Sequence, residues 1–192
     1  MSSTKRERRG SLWKKGVQKL RSMLSSDPAA KRHFTSSEDY WEHRYAEGGD
    51  SGVGSYGKFR EFKASFLNDF VARNGIRTVT ELGCGDGSQL ELAEYPSYTG
   101  FDVSPTAVAR CRERYAGDRT KTFRLIGESD GDTAELALSL DVLYHLVEDR
   151  VFESYMESLF RAGQRYVVIY SSNCEPADAP RVPHVRHRKF TD

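Results

Sequence analysis

The stretch Thr78–Val79–Thr80–Glu81–Leu82–Gly83–Cys84–Gly85–Asp86–Gly87, followed after a short gap by Tyr98–Thr99–Gly100–Phe101–Asp102–Val103–Ser104–Pro105, decides the fold. A β-branched run ends in an acid and breaks into three alternating glycines. A second short run ends in another acid. In an open parallel α/β sheet, ligands sit at the carboxyl ends of the strands, which is where Glu81, Gly83, Gly85, Gly87 and Asp102 fall. Without a Cβ, Gly83 and Gly85 let the backbone approach a ligand, and Gly87 permits close strand–helix packing. Asp102 can accept hydrogen bonds from both vicinal hydroxyls of a ribose.

Working outward, the pattern predicts strands at Thr78–Leu82, Tyr98–Val103, Thr122–Ile126, Leu136–Leu143 and Tyr166–Tyr170. Between them lie a short helix near Ser88–Glu94 and a helix entered through Ser104 as N-cap and Pro105, with Val108, Cys111 and Tyr115 toward the sheet. A third helix carries Val151, Phe152, Tyr155, Met156, Leu159 and Phe160 and stops at Gly163. Strands separated by helices imply a parallel sheet with right-handed crossovers. The last strand is apolar throughout, as a strand covered on both faces should be. Upstream, Phe59, Phe62, Phe66 and Phe70 recur at helical spacing before Asn74–Gly75, and this stripe is assigned to the core. Ahead of it lies a glycine-rich run from Gly48 to Gly57, whose Ser51–Gly57 part reads on its residues alone as a plain flexible loop.

The chain has 192 residues, 38% of them hydrophobic, enough for one α/β domain. Its net charge of +1 hides an asymmetry: residues 1–33 hold ten Lys/Arg against Glu7 and Asp27. This gives a basic extension over 1–33 and a mildly acidic domain over 34–192, with a cofactor-binding core at 77–172. Within the extension, Trp13, Val17, Leu20 and Leu24 mark an amphipathic helix over 11–24, with Ser11 as its cap and Asp27–Pro28 as its end. That helix reads as a contact for anionic lipid or nucleic acid, or as a helix docked on its own domain. Cys84, Cys111 and Cys174 form no CxxC pair, so neither zinc nor a disulfide framework is predicted. There is no apolar run of membrane-spanning length and no signal-peptide core, so a cytoplasmic location is expected.

A dinucleotide site would show GxGxxG with a helix N-terminus facing a pyrophosphate. This turn instead carries Asp86, which would repel an anion and tolerate a sulfonium. The residues 77–172 resemble class I S-adenosylmethionine-dependent methyltransferases, with Glu81–Gly87 as motif I, Gly100–Ser104 as the second-strand motif and Ser139–Leu146 as motif IV. The resemblance implies a Rossmann-like doubly wound parallel sheet and S-adenosyl-L-methionine as cofactor. It places Glu81 and Gly83 at the methionine end, Gly85 under the adenosine, Asp102 on the ribose and Val103 against the adenine, with Cys84 also in the cofactor-binding turn. It also makes a lid over the cofactor the alternative to a plain loop for Ser51–Gly57, which precedes motif I. Gly87 completes the turn, Glu128 or Asp130 lies near adenine N6, and Asp141 sits near the sulfonium and the acceptor. His145 is the first candidate base, with His184 and His187 as alternatives. No metal site is implied.

The pattern Tyr40–Trp41, Gly54–Ser55–Tyr56–Gly57, Phe62–Lys63 and 139–146 also resembles bacterial methyltransferases encoded among glycan genes. A small-molecule or glycan acceptor, methylated at oxygen, is the function expected. The alternatives are a non-catalytic S-adenosylmethionine-binding module and a nucleic-acid methyltransferase that uses the basic N-terminus. Class I enzymes usually add a C-terminal hairpin to the fifth strand, and this chain stops before it. The expectation is a truncated sheet, or a homodimer formed through the exposed fifth-strand edge.

Overall fold

A computed structural model describes residues 34–128, 131–175 and 182–191. The basic extension, its predicted helix over 11–24 and Asp130 lie outside the described residues.

Regular structure starts with a helix the sequence pattern did not announce, α1 at Ser37–Ala46. Its N-cap is Ser36, whose hydroxyl accepts from the Asp39 N–H at 3.0 Å, and Glu38 and Asp39 favour its positive end. The second helix, α2 at Gly57–Arg73, ends at Asn74, as the Asn–Gly pair predicts. Its inward face is not the phenylalanine stripe. Lys63, Ala64, Leu67 and Val71 are buried, while Phe59, Phe62 and Phe66 are 51%, 61% and 53% exposed. A helical repeat shows which residues share a face, but the neighbouring elements decide which face is covered. Here the stripe runs along the flank of α2, with Phe62 and Phe70 reaching the rings of Tyr170 and Tyr166 at 6.2 and 5.2 Å.

The sheet contains β1 Val79–Leu82, β2 Tyr98–Asp102, β3 Lys121–Leu125, β4 Ala134–Leu140 and β5 Gly163–Tyr170. The order is β3-β2-β1-β4-β5 and every pairing is parallel. Helix α3 at Pro105–Arg114 follows β2, and α4 at Asp149–Ala162 leads into β5. This is the doubly wound Rossmann-like fold of class I methyltransferases. The segment expected to form a helix near Ser88–Glu94 is only a 3-10 turn at Gln89–Leu92. The fourth strand ends at Leu140, not Leu143, because Asp141 turns into the left-handed region (φ 61°). Ser104 caps α3 as predicted, accepting from the Ala107 N–H at 3.0 Å with Pro105 in the first turn.

Two apolar clusters cover the faces of the sheet. One gathers Leu67, Val71, Val79, Tyr98, Val108, Phe123, Leu136 and Leu138; the other gathers Leu82, Ala137, Leu143, Tyr155 and Leu159. Each fully buried leucine contributes about 1.5–3 kcal/mol. Central β1 is buried along its whole length. Among the described residues no strand pairs with the outer edge of β5. Residues 182–191 fold back over the end of the sheet: the Arg186 N–H donates to the Tyr144 carbonyl at 2.8 Å and Phe190 packs on the second cluster. No helix among the described residues is long and apolar enough to cross a membrane.

Candidate active site

The carboxyl ends of β1, β2 and β4 open into a cavity of about 430 Å³, within the size range of small-ligand sites. Glu81, at the end of β1, is buried and accepts from the Tyr98 hydroxyl at 2.6 Å. Burial raises its carboxyl to about 7, and the charges of Asp102 and Asp141 push the same way against Tyr98 and Lys63. Asp102, ending β2, accepts from the Gly85 N–H at 2.8 Å and the Ser104 N–H at 2.9 Å. Burial still lifts it to about 6 against those bonds. With the Val103 N–H also bonded, the carboxylate has spent three of its roughly four acceptor positions, so capacity for a ribose hydroxyl remains.

Asp141 stands just past β4, its N–H donating to the Tyr170 carbonyl at 2.7 Å. Its side chain accepts from Lys63 Nζ at 2.5 Å on Oδ2 and from the Tyr144 hydroxyl at 3.1 Å on Oδ1. Lys63, on α2, is the residue the sequence reading did not place in the site. In the sequence it figures only in the Phe62–Lys63 part of the second resemblance pattern, with no role attached.

The glycine-rich loop lies on motif I. The Ser51 N–H donates to Asp86 Oδ2 at 3.1 Å, the Tyr56 hydroxyl donates to the same oxygen at 2.9 Å, and the Asp86 N–H donates to Ser51 Oγ at 3.0 Å. Asp86 is not on the cavity wall. Its carboxylate ties the loop down instead of touching the ligand space, and its charge is felt there through Asp102. Burial raises its pKa, yet hydrogen bonds from Ser88, Ser51 and Tyr56 outweigh this and hold it below the usual range. A Cβ at Gly85 would strike Ser51 Oγ and would lie 2.8 Å from the Tyr45 hydroxyl, and one at Gly54 would lie 2.7 Å from Asp141 Oδ2. The loop therefore closes directly over motif I and the end of β4.

The predicted site residues divide accordingly. Glu81, Gly83, Cys84, Gly85, Asp102, Val103, Asp141 and His145 all line the cavity. Gly87 does not. It is where α3 packs, a Cβ there meeting Tyr115 at 2.9 Å and Cys111 at 3.0 Å. Glu128 is also off the wall: it accepts from the Leu125 N–H at 3.2 Å and faces Arg112, while Ile126 lines the cavity in its place.

The outer part of the cavity is bounded by Trp41, His145, Glu148, Ser36 and Ser37. His145 Nδ1 lies 3.2 Å from the His184 carbonyl, so it carries the proton and leaves Nε2 as an acceptor. Burial pushes its pKa down to about 3, so the ring is neutral. His184 is buried and stacks on Tyr40 at 4.2 Å, and His187 bonds Ser172 at 2.6 Å. Asn173 is engaged by Phe190 and Thr191. Among the described residues no cluster of three or more metal-ligating side chains forms.

Residues 80–167 match the family model described as a methyltransferase domain. Mouse (Mus musculus) EEF1A lysine methyltransferase 4 is 35% identical over 81 residues, 40% of this chain and 31% of that protein. The chain thus spans less than a third of that curated relative. Magnesium protoporphyrin IX methyltransferase from Synechocystis PCC 6803, solved with bound S-adenosylhomocysteine, superposes with TM-score 0.58 at 16% identity, over 79% of this chain and 82% of that one. The N-methyltransferase NodS from Bradyrhizobium japonicum WM9, solved with the same ligand, gives 0.56 at 18% identity, over 67% of this chain and 68% of its own.

The fold is that of class I S-adenosylmethionine-dependent methyltransferases, and residues 80–167 are similar to a methyltransferase domain. In this chain the matched domain comprises β1 to β5, with α1, α2 and the loop between them added ahead of it.

Proposed function

We propose that this chain transfers the methyl group of S-adenosylmethionine to a hydroxyl of a small-molecule or glycan acceptor that enters beside Trp41. One observation carries this reading: a single cavity joins the charged pocket of Glu81, Asp102 and Asp141 to an outer space walled by Trp41 and His145. The residues fit the cofactor. Gly83 and Gly85 keep the wall open, both with positive φ, and Asp102 retains acceptor capacity for the ribose.

When bound, the cofactor supplies a sulfonium-activated methyl group. The protein's part is to hold the acceptor in line and exclude water, which can supply much of the rate. Trp41 offers an apolar surface to a sugar ring, and Glu148, held by Ser37, keeps acceptor capacity for its hydroxyls. His145 Nε2, kept neutral, accepts from the acceptor hydroxyl and orients it. Asp141, on the cavity wall, takes up the proton.

A lysine side chain as acceptor is the second reading, favoured by the identity to the mouse lysine methyltransferase. The deciding experiment is a transfer assay with labelled cofactor over free sugars, lipid-linked sugars and protein lysates. Label in a saccharide supports the first reading, and label confined to protein lysine replaces it with the second. Cofactor binding without transfer to any acceptor leaves a binding module.

A further inference from the structure

We propose that Lys63 is the cofactor-recognition residue that reads the methionine carboxylate. The inference rests on S-adenosylmethionine being the cofactor and goes on to name the residue that reads that group.

Lys63 is 2% exposed, on the inward face of α2 beside Ala64 and Leu67. Burying an ammonium costs several kcal/mol unless it is paired, and this position on an apolar face would hold a leucine more cheaply. The side chain nonetheless lines the cavity, with Nζ 2.5 Å from Asp141 Oδ2 and 5.1 Å from the centre of the Tyr170 ring. An ammonium has three protons. Asp141 is the one hydrogen-bond acceptor found for Lys63 among the described residues. The remaining protons are available to a second acceptor.

The charges at this end of the cavity match the ligand. Once a cationic ligand draws the proton off Glu81, Glu81, Asp141 and Lys63 present two negative charges and one positive. The methionine part of the cofactor presents a sulfonium, an ammonium and a carboxylate, the inverse set. Lacking Lys63, the ligand carboxylate would face two protein carboxylates without the ammonium that stands beside Asp141. Asp141 is fixed between the Tyr144 hydroxyl and the loop glycine Gly54. The four-carbon stem of Lys63 is the adjustable partner, so its ammonium can bridge Asp141 and the incoming carboxylate.

The test is calorimetry on the full chain with two ligands, S-adenosylhomocysteine and its decarboxylated analogue, which keeps the amine. In Lys63→Met, binding of S-adenosylhomocysteine should weaken by about 10–100-fold, the worth of a charge-assisted hydrogen bond. Binding of the decarboxylated analogue should stay within about twofold, and Lys63→Arg should recover most of the loss. If Lys63→Met does not fold, Lys63→Gln, which keeps a donor for Asp141 and removes the charge, carries the same expectation. Equal loss for both ligands, or no loss for either, overturns the proposal. Failure of the unaltered protein to bind either ligand instead overturns the cofactor assignment.

Discussion

Ser51 and Asp86 hold each other reciprocally: the Ser51 N–H donates to the Asp86 carboxylate at 3.1 Å, and the Asp86 N–H donates to the Ser51 hydroxyl at 3.0 Å. Thirty-five residues separate them, so this pair fastens the loop ahead of α2 to the glycine turn after β1. Asp86→Ala would strand the Ser51 N–H, the Tyr56 hydroxyl and the Ser88 N–H together. The expected cost is about 1–3 kcal/mol in denaturant unfolding. Amide exchange should accelerate across residues 50–56 while the β4 amides stay protected.

Glu81 supplies a pH signature. Its carboxyl lies near 7, above its ordinary 4.5, chiefly through burial. The folded state therefore favours the protonated form, and stability is fullest below about 4.5 and falls as pH rises through 7. The loss amounts to roughly 3 kcal/mol at most. A cationic ligand reverses the preference, so S-adenosylmethionine should bind more tightly from pH 6 to 8 and release a fraction of a proton near 7. Calorimetry in buffers of different ionisation enthalpy measures that release, and Glu81→Gln should abolish it.

Gly85 takes a left-handed φ of 57° and faces Ser51 and the Tyr45 hydroxyl. Gly85→Ala adds about 1–2 kcal/mol of backbone strain and a methyl group where the loop must rest. Cofactor affinity should fall with a faster off-rate, while the midpoint of thermal unfolding moves by only a few degrees. Stopped-flow dissociation separates the two effects.

The two faces of α2 should respond in opposite ways. Leu67→Ala, in the core, should cost about 2–5 kcal/mol. Phe62→Ser, on the exposed flank, should change stability by about 0.5 kcal/mol or less and increase solubility. Paired urea denaturation curves test both.

The cofactor half of the site was legible because its requirements are backbone requirements: glycines where a Cβ would collide and an acid at the end of each of two strands. The partners of Asp86 were not legible, because a carboxylate in a turn can point toward the ligand or away from it, and only the loop that covers the turn decides. Helix α1 escaped notice because its buried residues are Ser37 and Tyr45, which make no apolar stripe. The Ser36 cap followed by Glu38 and Asp39 was its available signal. The phenylalanines of α2 show the converse, a clear stripe whose covering layer no periodicity can supply. Lys63 was hidden for a third reason. Its role depends on Asp141, 78 residues away, and no local pattern reports such a pairing.

Helix α1 carries Trp41 on the cavity wall, and Glu42 beside it accepts from Ser104 Oγ at 2.5 Å and from Thr106 Oγ1 at 2.6 Å. The wall of the outer chamber and the N-terminus of the helix after Asp102 are thus one mechanical piece. A change on the Trp41 wall is therefore expected to register at the Ser104 cap beside Asp102, and so in cofactor affinity as well as in acceptor binding.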